Sequence, residues 1–146
     1  MKVQQIILLI TVMVCMSACS TLLNFVQMPN QTVNQELIAE GIVIYRQNYC
    51  GSCHTLTIAN TRGTFAPNHD DIALAEDYLA LSSYTGNADT LEDYIRESII
   101  DPSIFFTPGY EASSHHMPAF QHLADDDINA MVYMLMNQMD YQADAN

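Results

Sequence analysis

Positive charge is scarce in this chain of 146 residues. It has four lysine and arginine residues against 17 aspartate and glutamate residues, which gives a formal net charge of −13 at pH 7. Such a surface repels the phosphates of nucleic acid and of anionic lipid headgroups, so we expect no nucleic-acid partner. The acidity fits two other purposes equally well, which are steering toward basic patches on protein partners and keeping a small domain soluble.

The chain also lacks tryptophan, internal repeats, low-complexity tracts and the alternation of apolar and polar residues that is typical of strands. The length leaves room for one domain behind a short N-terminal segment. Apolar residues instead recur at three- and four-residue steps, which predicts an all-α domain of about four helices. The helical patterns cover residues 37–49, residues 72–82, residues 91–99 and a last segment that begins at Asp125.

Individual residues predict where these helices begin, end and pack. Thr90 with Asp93 resembles a capping box at the start of the third helix, and Asp101 should end it because a proline follows. Ala124 provides no side-chain cap for the last helix. Gly41 lies on the apolar face of the first helix, where it lets another helix approach closely. We expect the methionines of the last helix to fill the core: Met131, Met134, Met136 and Met139.

The N-terminus has the pattern of an export signal: Lys2, an apolar run over residues 6–14, and small residues before a cysteine. Met16-Ser17-Ala18-Cys19 resembles a bacterial lipobox, in which the cysteine is lipidated and becomes the mature N-terminus. Alternatively, residues 6–28 span a bilayer as one uncleaved helix. Both interpretations tether the domain on the periplasmic side of a bacterial membrane.

This pattern predicts a division of the chain into four parts. They are an export signal or anchor at residues 1–19, a linker at residues 20–34, the domain at residues 35–140 and a tail at residues 141–146. Residues 102–120 inside the domain hold three prolines and a glycine, so they cannot be regular structure. We therefore expect them to form a shaped loop with a function.

The pentapeptide Cys50-Gly51-Ser52-Cys53-His54 carries the chemistry. Two thiols at this spacing can add to the two vinyl groups of one porphyrin, and the histidine that follows is then held beneath the iron as an axial ligand. The rival interpretations are a thioredoxin-like dithiol and half of a zinc site. No βαβ pattern surrounds the pair and no second Cys-x-x-Cys follows, so we predict one covalent haem c.

With this motif in helical surroundings, the chain resembles the class I c-type cytochromes. That family crosses an N-terminal helix, with a glycine and an aromatic residue four positions on, over a C-terminal helix, and Gly41 and Tyr45 match that pair. Gly63 and Pro67 are similar to the glycine and proline that follow the family's motif. The resemblance implies a cytochrome c fold in which the Pro67 carbonyl accepts a hydrogen bond from His54 and fixes its orientation.

The resemblance covers residues 34–139. Three stretches within it look like one branch of the family: residues 94–102, 108–110 and 117–118. That branch includes the cytochrome domains of subunit II of haem-copper oxidases and of the small subunit of nitric oxide reductase. This likeness implies single-electron transfer rather than an enzyme activity of the chain's own. The implied partners are redox proteins as donor and acceptor, in a respiratory or photosynthetic membrane complex.

The resemblance implies Met117, in the proline-rich loop, as the sixth iron ligand. A thioether is soft and neutral, so it raises the reduction potential relative to a second imidazole. His115 and His116 lie beside it and either could replace it, whereas His69 and His122 are expected to face solvent. A haem enzyme or gas sensor with a displaceable sixth ligand is the alternative function.

Four further residues are candidates for contacts with the haem propionates. Arg62 and Arg96 are cations expected near the haem edge, although a surface salt bridge explains each of them as well. Tyr94 and Tyr110 could reach a propionate through their hydroxyls while their rings pack on the porphyrin.

Overall fold

The computed structural model describes residues 33–141. This part of the chain contains four α-helices, which are α1 (Gln35–Gln47), α2 (Ala75–Leu79), α3 (Leu91–Ile100) and α4 (Asp125–Met136). Short 3₁₀ helices occur at Cys50–Ser52, Thr57–Ala59, His69–Leu74 and Gln138–Asp140. Two strands, β1 (Thr55–Leu56) and β2 (Thr61–Arg62), form an antiparallel hairpin.

The predicted export signal, nearly all of the predicted linker and most of the predicted tail lie outside the described residues. Within residues 33–141, no helix combines the length and the apolar character that crossing a membrane requires. The predicted domain, residues 35–140, falls entirely within the described part.

Helices α1 and α4 pack closely against each other and form the centre of the core. A Cβ atom added at Gly41 would lie 2.5 Å from the Cβ of Met134, so only glycine allows this approach. Tyr133 of α4 contributes its hydroxyl oxygen, which accepts a hydrogen bond of 2.9 Å from the Asn34 backbone N–H. The close helix contact predicted at Gly41 is confirmed.

The methionines of α4 fall into two groups. Met131 and Met134 are buried, as predicted, but Met136 is 41% exposed and Met139 is 88% exposed. The prediction of core packing was wrong for the last two. Met136 lies on the exposed face of α4, seven residues after the exposed Asn129, and Met139 lies beyond the end of the helix. The chain then turns into the 3₁₀ helix Gln138–Asp140, which buries Gln138 instead.

Both predicted boundaries of α3 are confirmed. The Thr90 hydroxyl accepts a hydrogen bond of 3.1 Å from the Asp93 backbone N–H and donates one of 2.7 Å to the Asp93 carboxylate. The helix ends at Ile100, so Asp101 is its C-terminal cap. At the start of α4, Ala124 makes no side-chain capping bond, as expected.

The second helix differs from its prediction. Residues 72–82 were expected to form one helix, but α2 has only five residues and the 3₁₀ helix His69–Leu74 precedes it. The Asn68 side chain starts this 3₁₀ helix by accepting a hydrogen bond of 3.0 Å from the Asp70 backbone N–H. A local cap therefore begins helical structure earlier than the apolar periodicity indicates.

The hairpin was not predicted from the sequence. Thr55 pairs with Arg62 and Leu56 pairs with Thr61, and two residues per strand are too few to show an alternating pattern. Asn60 adopts the left-handed conformation at the turn, with φ of 52°, which asparagine tolerates better than most residues.

The segment between α3 and α4 contains no helix or strand, as predicted for residues 102–120. Its end returns to α3, because the Phe120 backbone N–H donates a hydrogen bond of 3.0 Å to the Ile99 carbonyl oxygen.

Candidate functional site

The cysteine motif forms a tight turn directly after α1. Tyr49 takes the left-handed conformation, with φ of 59°, which is a strained geometry for a bulky residue. The backbone N–H groups of Cys53 and His54 then both donate to the Cys50 carbonyl oxygen, at 3.2 Å and 3.1 Å. This turn places the two thiols and the imidazole on one short stretch of backbone.

The hairpin and the segment after it support the second half of the motif. The backbone N–H groups of Phe65 and Ala66 both donate to the Cys53 carbonyl oxygen at 3.1 Å. A Cβ atom added at Gly63 would lie 2.6 Å from the backbone nitrogen of His54, so the chain passes too close for any other residue. The position of His54 is therefore set by backbone contacts on several sides.

The His54 side chain is buried, and one of its ring nitrogens has a defined partner. Its Nδ1 lies 2.7 Å from the Pro67 carbonyl oxygen. Because a carbonyl oxygen only accepts, Nδ1 carries the proton and Nε2 keeps its lone pair for a metal. Burial lowers the pKa of His54, with the Pro67 hydrogen bond opposing it, so the imidazole is neutral at pH 7. The contact implied by the resemblance is present.

His69 was expected to face solvent, and that prediction was wrong. Its ring stacks on that of His54, with ring centroids 3.9 Å apart and planes at 18°. His69 is the first residue of the 3₁₀ helix His69–Leu74, which Asn68 caps. Burial, together with the neighbouring His54, holds the pKa of His69 well below its usual value. His122, by contrast, is exposed as expected.

A cavity of about 330 Å³ opens beside the motif, which lies within the range of cofactor-binding pockets. Cys50, Cys53 and His54 lie on its wall together with Met117 from the proline-rich loop. Most of the other lining residues are apolar or aromatic. They include the partly buried Ile72 and five buried residues of α3 and α4, which are Tyr94, Ile95, Ile99, Met131 and Leu135.

All three candidates for the sixth ligand lie on this cavity. Met117 is partly buried, whereas His115 and His116 are exposed. Each histidine ring contacts an aromatic neighbour, His115 stacking on Phe65 at 4.6 Å and His116 meeting the edge of Phe106 at 5.6 Å between centroids. Met117 is therefore the most buried of the three candidates.

The propionate candidates separate into two groups. Tyr94 is buried in the cavity wall, with its hydroxyl 3.3 Å from the hydroxyl of Thr107, and Tyr110 also lines the cavity. Neither Arg62 nor Arg96 lies on the cavity wall, and the Arg96 guanidinium donates a hydrogen bond to the Asn129 side chain. The structure therefore does not bring the arginines to the site.

The two thiols are free and half-buried. Burial, with a contribution from the neighbouring Cys53, raises the pKa of Cys50 to about 11. A dithiol oxidoreductase depends on a cysteine whose pKa is lowered, so this environment disfavours the thioredoxin-like interpretation.

Within the described part of the chain, no group of three or more histidine, cysteine, aspartate or glutamate side chains could hold a metal ion.

No protein-family model, no curated protein and no solved structure matches this chain. The residues around the cavity are thus the basis on which a function can be assigned.

Proposed function

We propose that the chain carries one covalently attached haem c in a cytochrome c fold and transfers single electrons. The observation that supports this most directly is one cavity whose wall holds Cys50, Cys53 and His54 together. The spacing Cys-x-x-Cys-His suits two thioether bonds and one axial nitrogen on a single porphyrin. The mainly apolar wall suits a large, flat and apolar macrocycle.

Each residue of the motif has a separate task in this proposal. The thiols of Cys50 and Cys53 would hold the haem through two thioether bonds, and Nε2 of His54 would be a ligand of its iron. The Pro67 carbonyl oxygen holds the proton of His54 on Nδ1, at 2.7 Å, which keeps Nε2 as the donor and strengthens it. The neutral imidazole favoured by burial is the form that a metal requires.

Met117 is the sixth ligand in the same proposal. When bound, the haem supplies the reversible one-electron chemistry of its iron. If His54 and Met117 both held the iron, no iron site would be left for a substrate or a gas, which favours electron transfer over catalysis. The buried side chains of Tyr94, Ile95 and Met131 line the cavity and would give the haem apolar surroundings, which favour the less charged, reduced state of its iron.

We also propose that the domain is tethered to the outer side of a bacterial cytoplasmic membrane. Either a lipid on Cys19 or an uncleaved helix over residues 6–28 provides the tether, as the sequence pattern indicates. Its partners are then redox proteins of a membrane electron-transport complex. The net charge of −13 favours partners that present a basic docking surface.

The proposal is tested by expressing the full chain in a bacterial host that attaches haem c to exported proteins, and by examining the purified protein. Intact mass spectrometry should report one haem, and the same spectrum reports cleavage and acylation at Cys19. The pigment should remain with the protein in acidified organic solvent. Cys50→Ser and Cys53→Ser should each lose a thioether bond, whereas Cys15→Ser keeps the haem because it lies outside the motif. A colourless protein, or a pigment that is fully extracted, would overturn the proposal.

Binding of carbon monoxide separates the proposed function from a haem enzyme or a gas sensor. The reduced protein at neutral pH should bind little carbon monoxide, because Met117 fills the sixth position. Rapid binding of one molecule per haem would favour the sensor or enzyme instead.

A further inference from the structure

The electron-transfer site proposed above gives no task to His69, yet this ring lies flat on the ring of His54. The two ring planes differ by 18° and their centroids are 3.9 Å apart. The hydrogen bond from Nδ1 of His54 to Pro67 fixes one direction of the imidazole. A single hydrogen bond still allows the ring to tilt about that direction, and a flat neighbour against one face removes this freedom.

His69 is itself anchored from two sides. Its Nδ1 lies 3.1 Å from the hydroxyl oxygen of Tyr45, a residue of α1 that is almost fully buried. Its backbone carbonyl oxygen accepts a hydrogen bond of 2.8 Å from the side-chain amide of Gln138, which follows α4 and is also buried. His69 is therefore held by α1 and by the 3₁₀ helix that follows α4.

We propose that His69 is a positioning residue that sets the plane of the His54 imidazole, and that Tyr45 holds it in place. The inference rests on the proposed function, in which His54 binds the haem iron. The orientations of both iron ligands decide how the unpaired electron of oxidised low-spin iron would be distributed over the porphyrin. With Met117 unchanged, a change in the four ring-methyl resonances of the oxidised protein would therefore report a change in the plane of the His54 imidazole in proton NMR spectra.

The experiment compares the holoprotein with three variants and a control. His69→Leu removes the flat ring, so the order or spread of the four methyl shifts should change. His69→Phe restores a flat ring without the hydrogen bond and should return the pattern most of the way to wild type. Tyr45→Phe keeps both rings and removes the same hydrogen bond as His69→Phe, so its shifts should move toward those of His69→Leu by only the small amount seen in His69→Phe. His122→Leu alters an exposed histidine and should leave the pattern unchanged.

Two results would overturn the inference. One is a His69→Leu holoprotein with the methyl shifts of wild type, and the other is a His69→Phe pattern as altered as that of His69→Leu. If the His69→Leu protein does not acquire haem, the Tyr45→Phe protein tests the inference instead. Methyl shifts equal to those of wild type in that variant would then count against the inference. Failure of the proposed function is distinct, because the wild-type protein would then lack covalent haem before any variant is made.

Discussion

The Nδ1 atom of His54 lies 2.7 Å from the carbonyl oxygen of Pro67, and the segment between these residues runs against the motif at Gly63. Gly63→Ala would place a Cβ atom 2.6 Å from the His54 backbone nitrogen, so the segment must move away. We expect a loss of about 1–3 kcal/mol in the free energy of unfolding, the usual cost of overpacking. We also expect a lower haem content. Urea unfolding and the absorbance ratio of haem to protein measure the two effects.

Gly109→Ala is the matched control for this variant. Gly109 has φ of 91°, but nothing lies within 4 Å of an added Cβ atom. The cost should therefore be only the conformational one of about 1–2 kcal/mol, with the haem content of wild type. A similar loss of haem in both variants would contradict the steric explanation at Gly63.

A second prediction concerns the contact between α1 and α4. Alanine has a helix propensity about 1 kcal/mol better than glycine, so Gly41→Ala would stabilise α1 in isolation. In the folded protein the added Cβ would lie 2.5 Å from the Cβ of Met134, and the helices must separate. We expect a net loss of about 1–3 kcal/mol in urea unfolding. Val43→Ala, at a half-exposed position of the same helix, should change stability far less, and a stabilised Gly41→Ala would refute the prediction.

A third prediction identifies the sixth ligand. The oxidised protein should show a red-region absorption band from charge transfer between sulfur and iron, and Met117→Ala should abolish it. The reduction potential should fall in the same variant, because a soft neutral ligand that stabilises reduced iron is lost. Met139→Ala is the control, since Met139 is 88% exposed, and it should keep the band. If wild type lacks the band, His115 or His116 takes the place of Met117.

A fourth prediction concerns stability at high pH. The Tyr84 hydroxyl donates a hydrogen bond of 2.7 Å to Glu97, and burial, followed by this bond, raises the pKa of Tyr84 to about 12. An unfolded tyrosine ionises near pH 10. The stabilising contribution of Tyr84 is therefore complete below about pH 10 and is lost as the pH rises toward about 12.

The variant Tyr84→Phe tests this dependence. It should be less stable than wild type at pH 8, by about 1–3 kcal/mol for a lost hydrogen bond to a charged group. It should then lose less stability than wild type between about pH 10 and 12, as urea unfolding at a series of pH values can show. Tyr49→Phe, at a largely exposed position, should follow the wild-type curve. Parallel curves for wild type and Tyr84→Phe would contradict the assignment.

Features that depend on neighbours in sequence were predictable. The cap of α3 by Thr90 involves residues three apart, and the end of this helix depends on the proline that follows Asp101. The contact at Gly41 joins distant residues, but a close approach there was predictable because glycine lowers helix propensity, a cost that close packing of a second helix can offset. These predictions needed no knowledge of where distant segments pack.

Features that depend on distant segments were not predictable. His69 joins the site through Tyr45, 24 residues away, and no local pattern indicates that contact. The hairpin is local but was missed for another reason: it depends on Thr61, whose hydroxyl donates a hydrogen bond of 3.1 Å to the His54 carbonyl oxygen, and not on any strand-forming run. The exposure of Met139 follows from where α4 stops, which apolar periodicity does not define.

The hydrogen bond from the Phe120 N–H to the Ile99 carbonyl oxygen closes the Met117-bearing loop at its base. Closing a flexible loop costs only about 0.6 kcal/mol more for each doubling of its length. Insertions and deletions within this loop should therefore cost little in loop closure while the bond at its base is kept. The backbone around Cys50 and Cys53 cannot accept such changes, because it is packed within a tight turn. We therefore expect evolutionary change to accumulate in the Met117 loop, and under the proposed function such change would let one scaffold serve a range of redox midpoints.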